Sequence, residues 1–293
     1  MGIASRSFSS GHFLLELGGD SAGYVRNLQG GGAAAEVVKE KVGTDHIVRK
    51  HIGGVSFDDI VLTCDAGASK SFYDWVGQSS GSQGVRRDGA VVVMEGGKEI
   101  SRLDWRFGLI SRVEFPALDA TSKDLFSLMV KITPESTRNA KGGESRPVTP
   151  ARKSWLASSF RLKIDGLEEA CRHVSRIEPF AIDWRVKQHT RGEYLAPGIE
   201  PASDAEPGSL IVTLPESKAQ GFQDWFEDFV IKGNSGQSNE KRGTLESGAF
   251  SLQFGNLGIS RMTQPSGLPG AMTRKTVIEM YCESVRFSAT SAA

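Results

Sequence analysis

The pattern Phe-x-Asp-Trp occurs twice in the chain, at Phe72–Trp75 in "SFYDWVGQSS" and at Phe222–Trp225 in "GFQDWFEDFV", 150 positions apart. Other marks keep nearly the same spacing. "FLLELGG" from Phe13 lines up with "FRLKIDG" from Phe160 at 147 positions, and "IVLT" from Ile60 with "LIVT" from Leu210 at 150. "ISRVEFP" from Ile110 matches "ISRMTQP" from Ile259 at 149, and Glu135-Ser136 matches Glu283-Ser284 at 148. Marks that stay in one order at one offset point to a tandem duplication. A period this long is far beyond solenoid units, so each copy is expected to carry its own core.

A chain of 293 residues accommodates two such domains. The expected boundaries are residues 1–140 for copy one, 141–158 for a linker and 159–293 for copy two. The stretch "TRNAKGGESRPVTPARKSWLAS", Thr137 to Ser158, is rich in Gly, Pro and basic residues and reads as connecting chain. The copies differ most after their first strands. Copy one has "GGGAAAEVVKEKVGTDHIVRKHIGG" there, and copy two has "QHTRGEYLAPGIEPASDAEPG", whose Pro and Gly content predicts a long surface loop.

Alternation of apolar and polar residues dominates both halves. "HFLLELGG", "FDDIVLT", "GAVVVMEG" and "DLFSLMVKITPE" in copy one, and "SFRLKIDG", "SLIVTLP", "GTLESG" and "KTVIEMYCESVRFS" in copy two, read as half-buried strands. Asp88-Gly89 ahead of a β-branched run is a turn signal. The Phe-x-Asp-Trp stretches are the helix candidates, with Phe72, Trp75 and Val76 on one face and Phe222, Trp225, Phe226 and Phe229 on the other copy's face. Ser69 or Ser71 is placed to cap the first helix and Ser217 the second. The fold class expected is mainly β: two tandem β-sandwich or barrel domains, each with one short α-helix. Phe72, Trp75, Phe222 and Trp225 are then structural anchors that hold helix to sheet.

No chemistry-bearing constellation emerges. "GQSSG" at Gly77–Gly81 matches G-x-S-x-G, but a nucleophile elbow requires a strand before Ser79, and a helix precedes it. His12, His46, His51, His173 and His189 show no metal-type spacing, and Asp58-Asp59 point to opposite faces of a strand. "GGGAAAE" at Gly30 lacks the Lys of a phosphate loop, and the basic pair at Arg86 reads as a solvated turn. No catalytic residue, cofactor or metal is expected. With 35 basic and 35 acidic residues and a net charge of +0, the chain has no global footprint for nucleic acid or an anionic membrane. Cys64, Cys171 and Cys282 are odd in number and unpaired in spacing, which predicts reduced thiols. No apolar run is long enough to span a membrane, and the start shows no signal-peptide pattern.

The stretches "KHIGGVSFDDIVLTCDAGASKSFYDWVGQ" and "VRRDGAVVVMEGGKEISRLDWRFGLISRVEFPALDATSKDLFSLMVKITPES" resemble the tail tube proteins of contractile phage tails and phage-like injection systems. The resemblance covers residues 12–136. Copy two follows it more loosely: Trp225 and "GISR" are present, but "TQPSGLPGA" replaces "FPALDA" and "EKRGTLESG" lacks the Asp-Gly. The resemblance implies tube-type domains, six of which close into a ring, with rings stacking into a tube. Two domains per chain make three chains a pseudo-sixfold ring, a trimer of itself with tube, sheath, baseplate or cap proteins as partners. The 22 residues from Thr137 to Ser158 reach ~70 Å at ~3.3 Å each, ample for a neighbouring position. Divergent copies suit a tube initiator, adaptor or terminal ring; a bulk tube subunit, or a binding module or effector riding in the lumen, is the alternative. Assembly in the cytoplasm, within a phage tail or tail-like particle, follows from the same resemblance.

Overall fold

Each alternating stretch buries one face and becomes a strand. The computed structural model describes residues 12–41, 47–79, 84–143, 155–189, 198–201, 205–248, 250–264 and 274–290. The first half holds β1 (His12–Leu17), β2 (Asp20–Gly30), β3 (Ala33–Lys41), β4 (Val48–Phe57), β5 (Ile60–Asp65), α1 (Lys70–Ser79), β6 (Arg87–Glu95), β7 (Lys98–Phe115), β8 (Leu118–Asp119), β9 (Ser127–Thr133) and β10 (Ser136–Lys141). The second holds β11 (Phe160–Ile164), α2 (Glu168–Cys171), β12 (Arg176–Ile177), β13 (Phe180–Asp183), β14 (Val186–His189), β15 (Gly198–Pro201), β16 (Glu206–Pro207), β17 (Leu210–Pro215), α3 (Gln220–Phe226), β18 (Lys241–Ser247), β19 (Phe250–Thr263) and β20 (Lys275–Ala289). Of the expected linker, residues 144–154 lie outside the described residues. Its last residues join the first half, where Phe126 N–H donates to the Trp155 carbonyl and Ala157 N–H to that of Asp124.

In the first half β1 pairs with β2 and β6, β6 with β7, β7 with β9, β9 with β5, and β5 with β2, so six antiparallel strands close into a barrel. In the second half β11, β18, β19, β20, β17 and β12 pair in that same order without closing. Where the first half has the β1–β2 hairpin, the second has the short helix α2, which the sequence pattern did not announce. β12 pairs instead with β8 of the first half. The long strand β20 runs along β19 as β9 and then β10 run along β7.

The recurring sequence marks acquire physical reasons. Gly19 and Gly166, after β1 and β11, have φ of +93° and +74°, a region glycine enters without steric cost. In both Ile-Ser-Arg stretches the ladder slips by one residue, between Ile110 and Arg112 and between Ile259 and Arg261. The extra residue is the serine: Ser111 Oγ donates to the Lys131 carbonyl across the ladder (3.4 Å) and Ser260 Oγ to that of Glu279 (3.1 Å). The motif is therefore a β-bulge with a hydroxyl brace. Among the described residues, Phe107 (φ 51°) and Asn256 (φ 55°) are the non-glycine residues with positive φ, again 149 positions apart.

The expectation of two separate cores gives way to one continuous buried cluster containing residues of both halves. Large aromatic rings from each half meet at the junction: Phe115 stacks on Phe180 with centroids 4.8 Å apart and lies 5.3 Å from Phe250. The first helix contributes as well, with Tyr73 stacked on Phe287 at 6.2 Å. So α1 packs against β20 of the other half, and not only onto its own sheet. Phe72, Trp75 and Phe222 are fully buried, and Trp225 is 7% exposed. Ser69 caps α1 by accepting from the Phe72 N–H (3.3 Å). Ser217 does not cap α3: it sits in the 3-10 turn Glu216–Lys218, and Ala219, with no side-chain oxygen, occupies the cap position. Beyond Phe226 the helix widens into a π-helical turn over Glu227–Ile231.

Candidate assembly interface

The halves are joined by strand addition. β13 of the second half lies antiparallel on β7 of the first, with Phe180 opposite Phe115, Ile182 opposite Val113 and Asp183 opposite Arg112. The ladder continues where the Trp184 N–H donates to the Ser111 carbonyl at 2.9 Å. β7 accepts β13 because β6 leaves it at Gly108, exposing that edge from Leu109 onward. Val113 and Ile182 are fully buried in the joint. At its rim the Arg112 guanidinium donates to both Asp183 carboxylate oxygens (2.9 and 2.7 Å) and to Glu114 (3.2 Å). Arg176 makes a second link across the halves, pairing with Asp119 at 3.3 Å and with Glu178 at 2.7 Å.

β13 is the base of an arm. It pairs with β16, while β14 pairs with β15. The expected long loop of copy two is therefore a ribbon, with residues 190–197 and 202–204 outside the described residues. Gly198 and Ile199 are buried because the ribbon docks on the first half: the Arg86 guanidinium donates to the Ile199 carbonyl, and the Ile199 N–H donates to Glu135 (3.4 Å). Arg86, exposed as a solvated turn would have it, also bridges the halves through this bond. Docking supplies the partners that a Pro- and Gly-rich segment could not supply for itself.

The first half has the same arm. β3 and β4 pair along their whole length, with Ala33 opposite Phe57 and Ala34 opposite Ser56. These positions match Ile182 opposite Pro207 and Asp183 opposite Glu206 in the second half. Even the root bond recurs, Asp58 N–H to the Gly32 carbonyl and Gly208 N–H to that of Ala181, both 2.8 Å. The second half has the same edge, since β18 leaves β19 at Leu257 while β20 follows it to Thr263. Among the described residues, no strand pairs with the remaining edge of β3 or with the edge of β19 from Ile259 onward. Ala33–Glu36 and Ser260–Arg261 are exposed accordingly, whereas Phe180–Ile182 are buried. The sequence signals for the joint were slight: the short run "FAID" and the Arg of Ile-Ser-Arg.

Among the described residues, the candidate side chains make structural contacts. Ser79 ends α1, buried, with its hydroxyl donating to the Trp75 carbonyl at 2.9 Å. The rest of G-x-S-x-G beyond it lies outside the described residues. A polar cavity of about 650 Å³ is lined by Glu16, Asp88, Arg102, Asp104 and Thr137 among others. Arg102 there pairs with Asp104 (2.7 Å) and with the buried Glu16 (3.0 Å) and Glu99 (3.5 Å), an ionic brace between β1 and β7. Cys64, Cys171 and Cys282 are buried free thiols. Burial pushes the Cys171 and Cys282 thiols up to about 11 and that of Cys64 higher still, the opposite of nucleophile activation. No helix of the described residues is long and apolar enough to cross a membrane.

No protein-family profile and no curated protein matches the chain. Solved structures resemble parts of it. A chain of the anti-feeding prophage cap, the tube-terminating cap, is 13% identical, with 47% of this chain and 94% of that one covered at a TM-score of 0.40. A chain of the PVC sheath/tube terminator in the extended state is 15% identical, with 47% and 99% covered at 0.39. One from the PVC sheath–tube complex of an extracellular contractile injection system is 16% identical, with 44% and 88% covered at 0.38.

Proposed function

We propose that the chain is a tandem duplicate, with copies at residues 1–140 and 159–293, that builds a ring of a phage-like contractile tail or injection system. The observation that carries this reading is the joint between its halves. It is heterologous: an arm of one half adds to a sheet edge of the other, while among the described residues the opposite arm and edge have no strand partner. Such contacts propagate head to tail and close into a ring or run on as a filament. The tail-tube resemblance of residues 12–136 favours a ring of six half-chains, hence three chains. Divergence between the copies, with a closed barrel in one and an open one in the other, favours an initiator, adaptor or terminal ring over the repeating tube. Such a component works by shape and requires no catalytic group; its partners are further copies of itself and the tube, sheath, baseplate or cap proteins of the particle. It is assembled in the cytoplasm with its thiols reduced. Negative-stain microscopy and light scattering of the purified chain test the reading. Rings or short stacks with a mass of three chains, or a multiple, are expected; a monodisperse monomer at all concentrations overturns it.

A further inference from the structure

The in-chain joint also specifies how one chain meets the next. We propose that β3 of one copy adds antiparallel to the free edge of β19 in a second copy, with Gly32 opposite Thr263, Ala33 opposite Met262 and Ala34 opposite Arg261. This inference rests on the ring reading and names its contact surface. The register is that of β13 on β7, carried to the positions 149 residues before β13 and after β7. The Ala35 N–H then meets the Ser260 carbonyl as the Trp184 N–H meets that of Ser111.

Three observations converge on this pairing. The two arms share strand register and root hydrogen bond, so β3 presents the edge that β13 uses. The two receiving edges share the bulge at Ser111 and Ser260, which sets the direction in which the edge leaves the barrel. Ala33, Ala34, Ser260 and Arg261 are exposed and Met262 is half-buried, whereas their docked counterparts Ile182 and Val113 are buried and Asp183, Ser111 and Arg112 half-buried. Unpaired main-chain groups along an edge are a template for another strand, and the heterologous geometry selects a second copy of this chain as the occupant. The joint between chains differs in chemistry from the one within. Gly32, Ala33 and Ala34 stand where Ala181, Ile182 and Asp183 stand, so it lacks the buried isoleucine and the Arg112–Asp183 pair. Main-chain hydrogen bonds carry it, and it opens more readily than the joint within the chain.

The test is cysteine cross-linking of the full chain. Opposed residues on antiparallel strands lie ~4.5–5.5 Å apart, within disulfide reach. Ala34→Cys with Arg261→Cys, and Ala33→Cys with Met262→Cys, cover both kinds of antiparallel pair. Under mild oxidation at least one should give a thiol-reversible ladder ending in a covalent trimer. Each single variant should stay monomeric on the gel, because the three native thiols are buried. The matched in-chain pair, Arg112→Cys with Asp183→Cys, should close within one chain and calibrates the geometry. Light scattering of the same samples before oxidation separates the failures. Assembled particles that give no ladder, while the in-chain pair closes, overturn the strand joint and leave the ring reading standing. A ladder formed only by the out-of-register pair Val38→Cys with Arg261→Cys overturns the register. Monomers throughout overturn both.

Discussion

Trp75 and Trp225 occupy matched positions with unequal support. The Trp75 indole N–H donates to the Val85 carbonyl at 2.7 Å inside a fully buried site. Trp225 packs edge-on to Phe229 at 5.9 Å under the Lys241 ammonium, and its indole nitrogen has no hydrogen-bond partner among the described residues. Trp75→Ala is expected to cost ~3–5 kcal/mol in urea denaturation, the range for truncating a buried aromatic. Trp225→Ala should fall below it, since less burial and no hydrogen bond are lost; equal losses would count against that ranking. The thiols make a second prediction. Their folded pKa values are raised by burial above the ordinary 9.0, so their contribution to stability is complete below pH 9 and is lost as pH rises through about 11. Over that window each thiol lowers stability by at most ~1.4 kcal/mol per pH unit, because the unfolded chain releases a proton that the folded chain keeps. Denaturation between pH 8 and 10 should show the decline, and Cys171→Ala with Cys282→Ala should make it shallower, with Cys64 keeping the remainder.

At the scale of single elements, the long strands β7 and β19 decide the architecture. Each carries a left-handed residue and, a few residues on, a bulge, so each bends and exposes an edge just where its neighbour leaves. Phe107 holds its φ of 51° although the residue is 49% exposed, so strain is borne there with little burial in return. Relief of left-handed strain is worth ~1–2 kcal/mol, and glycine's unfolded-state entropy takes back ~0.5–1. Phe107→Gly should therefore raise the denaturation midpoint slightly, by the equivalent of ~0.5–1 kcal/mol, and Phe107→Val should lower it. Asn256→Gly should be close to neutral, because asparagine tolerates this conformation. A loss on Phe107→Gly would mean that its ring has a partner beyond the chain. The Ile-Ser-Arg repeat was visible in the sequence, but the bulge was not, since only the cross-strand register shows which residue is extra.

For the whole molecule, the halves are one structure. Phe180, Phe115, Phe250 and Phe287 bring both halves into one aromatic cluster, and β13 completes the first half's sheet. Residues 1–145 and 150–293, co-expressed as separate chains, should co-purify one to one, because strands and rings hold them and the linker does not. Either half alone should be insoluble or aggregate, having lost the cover of its edge and aromatic face; two soluble, non-interacting halves would overturn this account. The sequence by itself determined what depends on local periodicity and recurrence. That comprises the alternating strands β1, β5, β6, β9, β11, β17, β18 and β20, a helix around each Phe-x-Asp-Trp, and a common offset between halves. Local pattern reports which residues seek burial, not which surface buries them. Only the tertiary structure decided that α1 packs on the other half, that Arg86 bridges, that a Pro- and Gly-rich segment becomes a docked ribbon, and that one barrel closes while the other stays open. Each depends on contacts between residues far apart in the chain, where packing and strand pairing override the propensity of the segment itself.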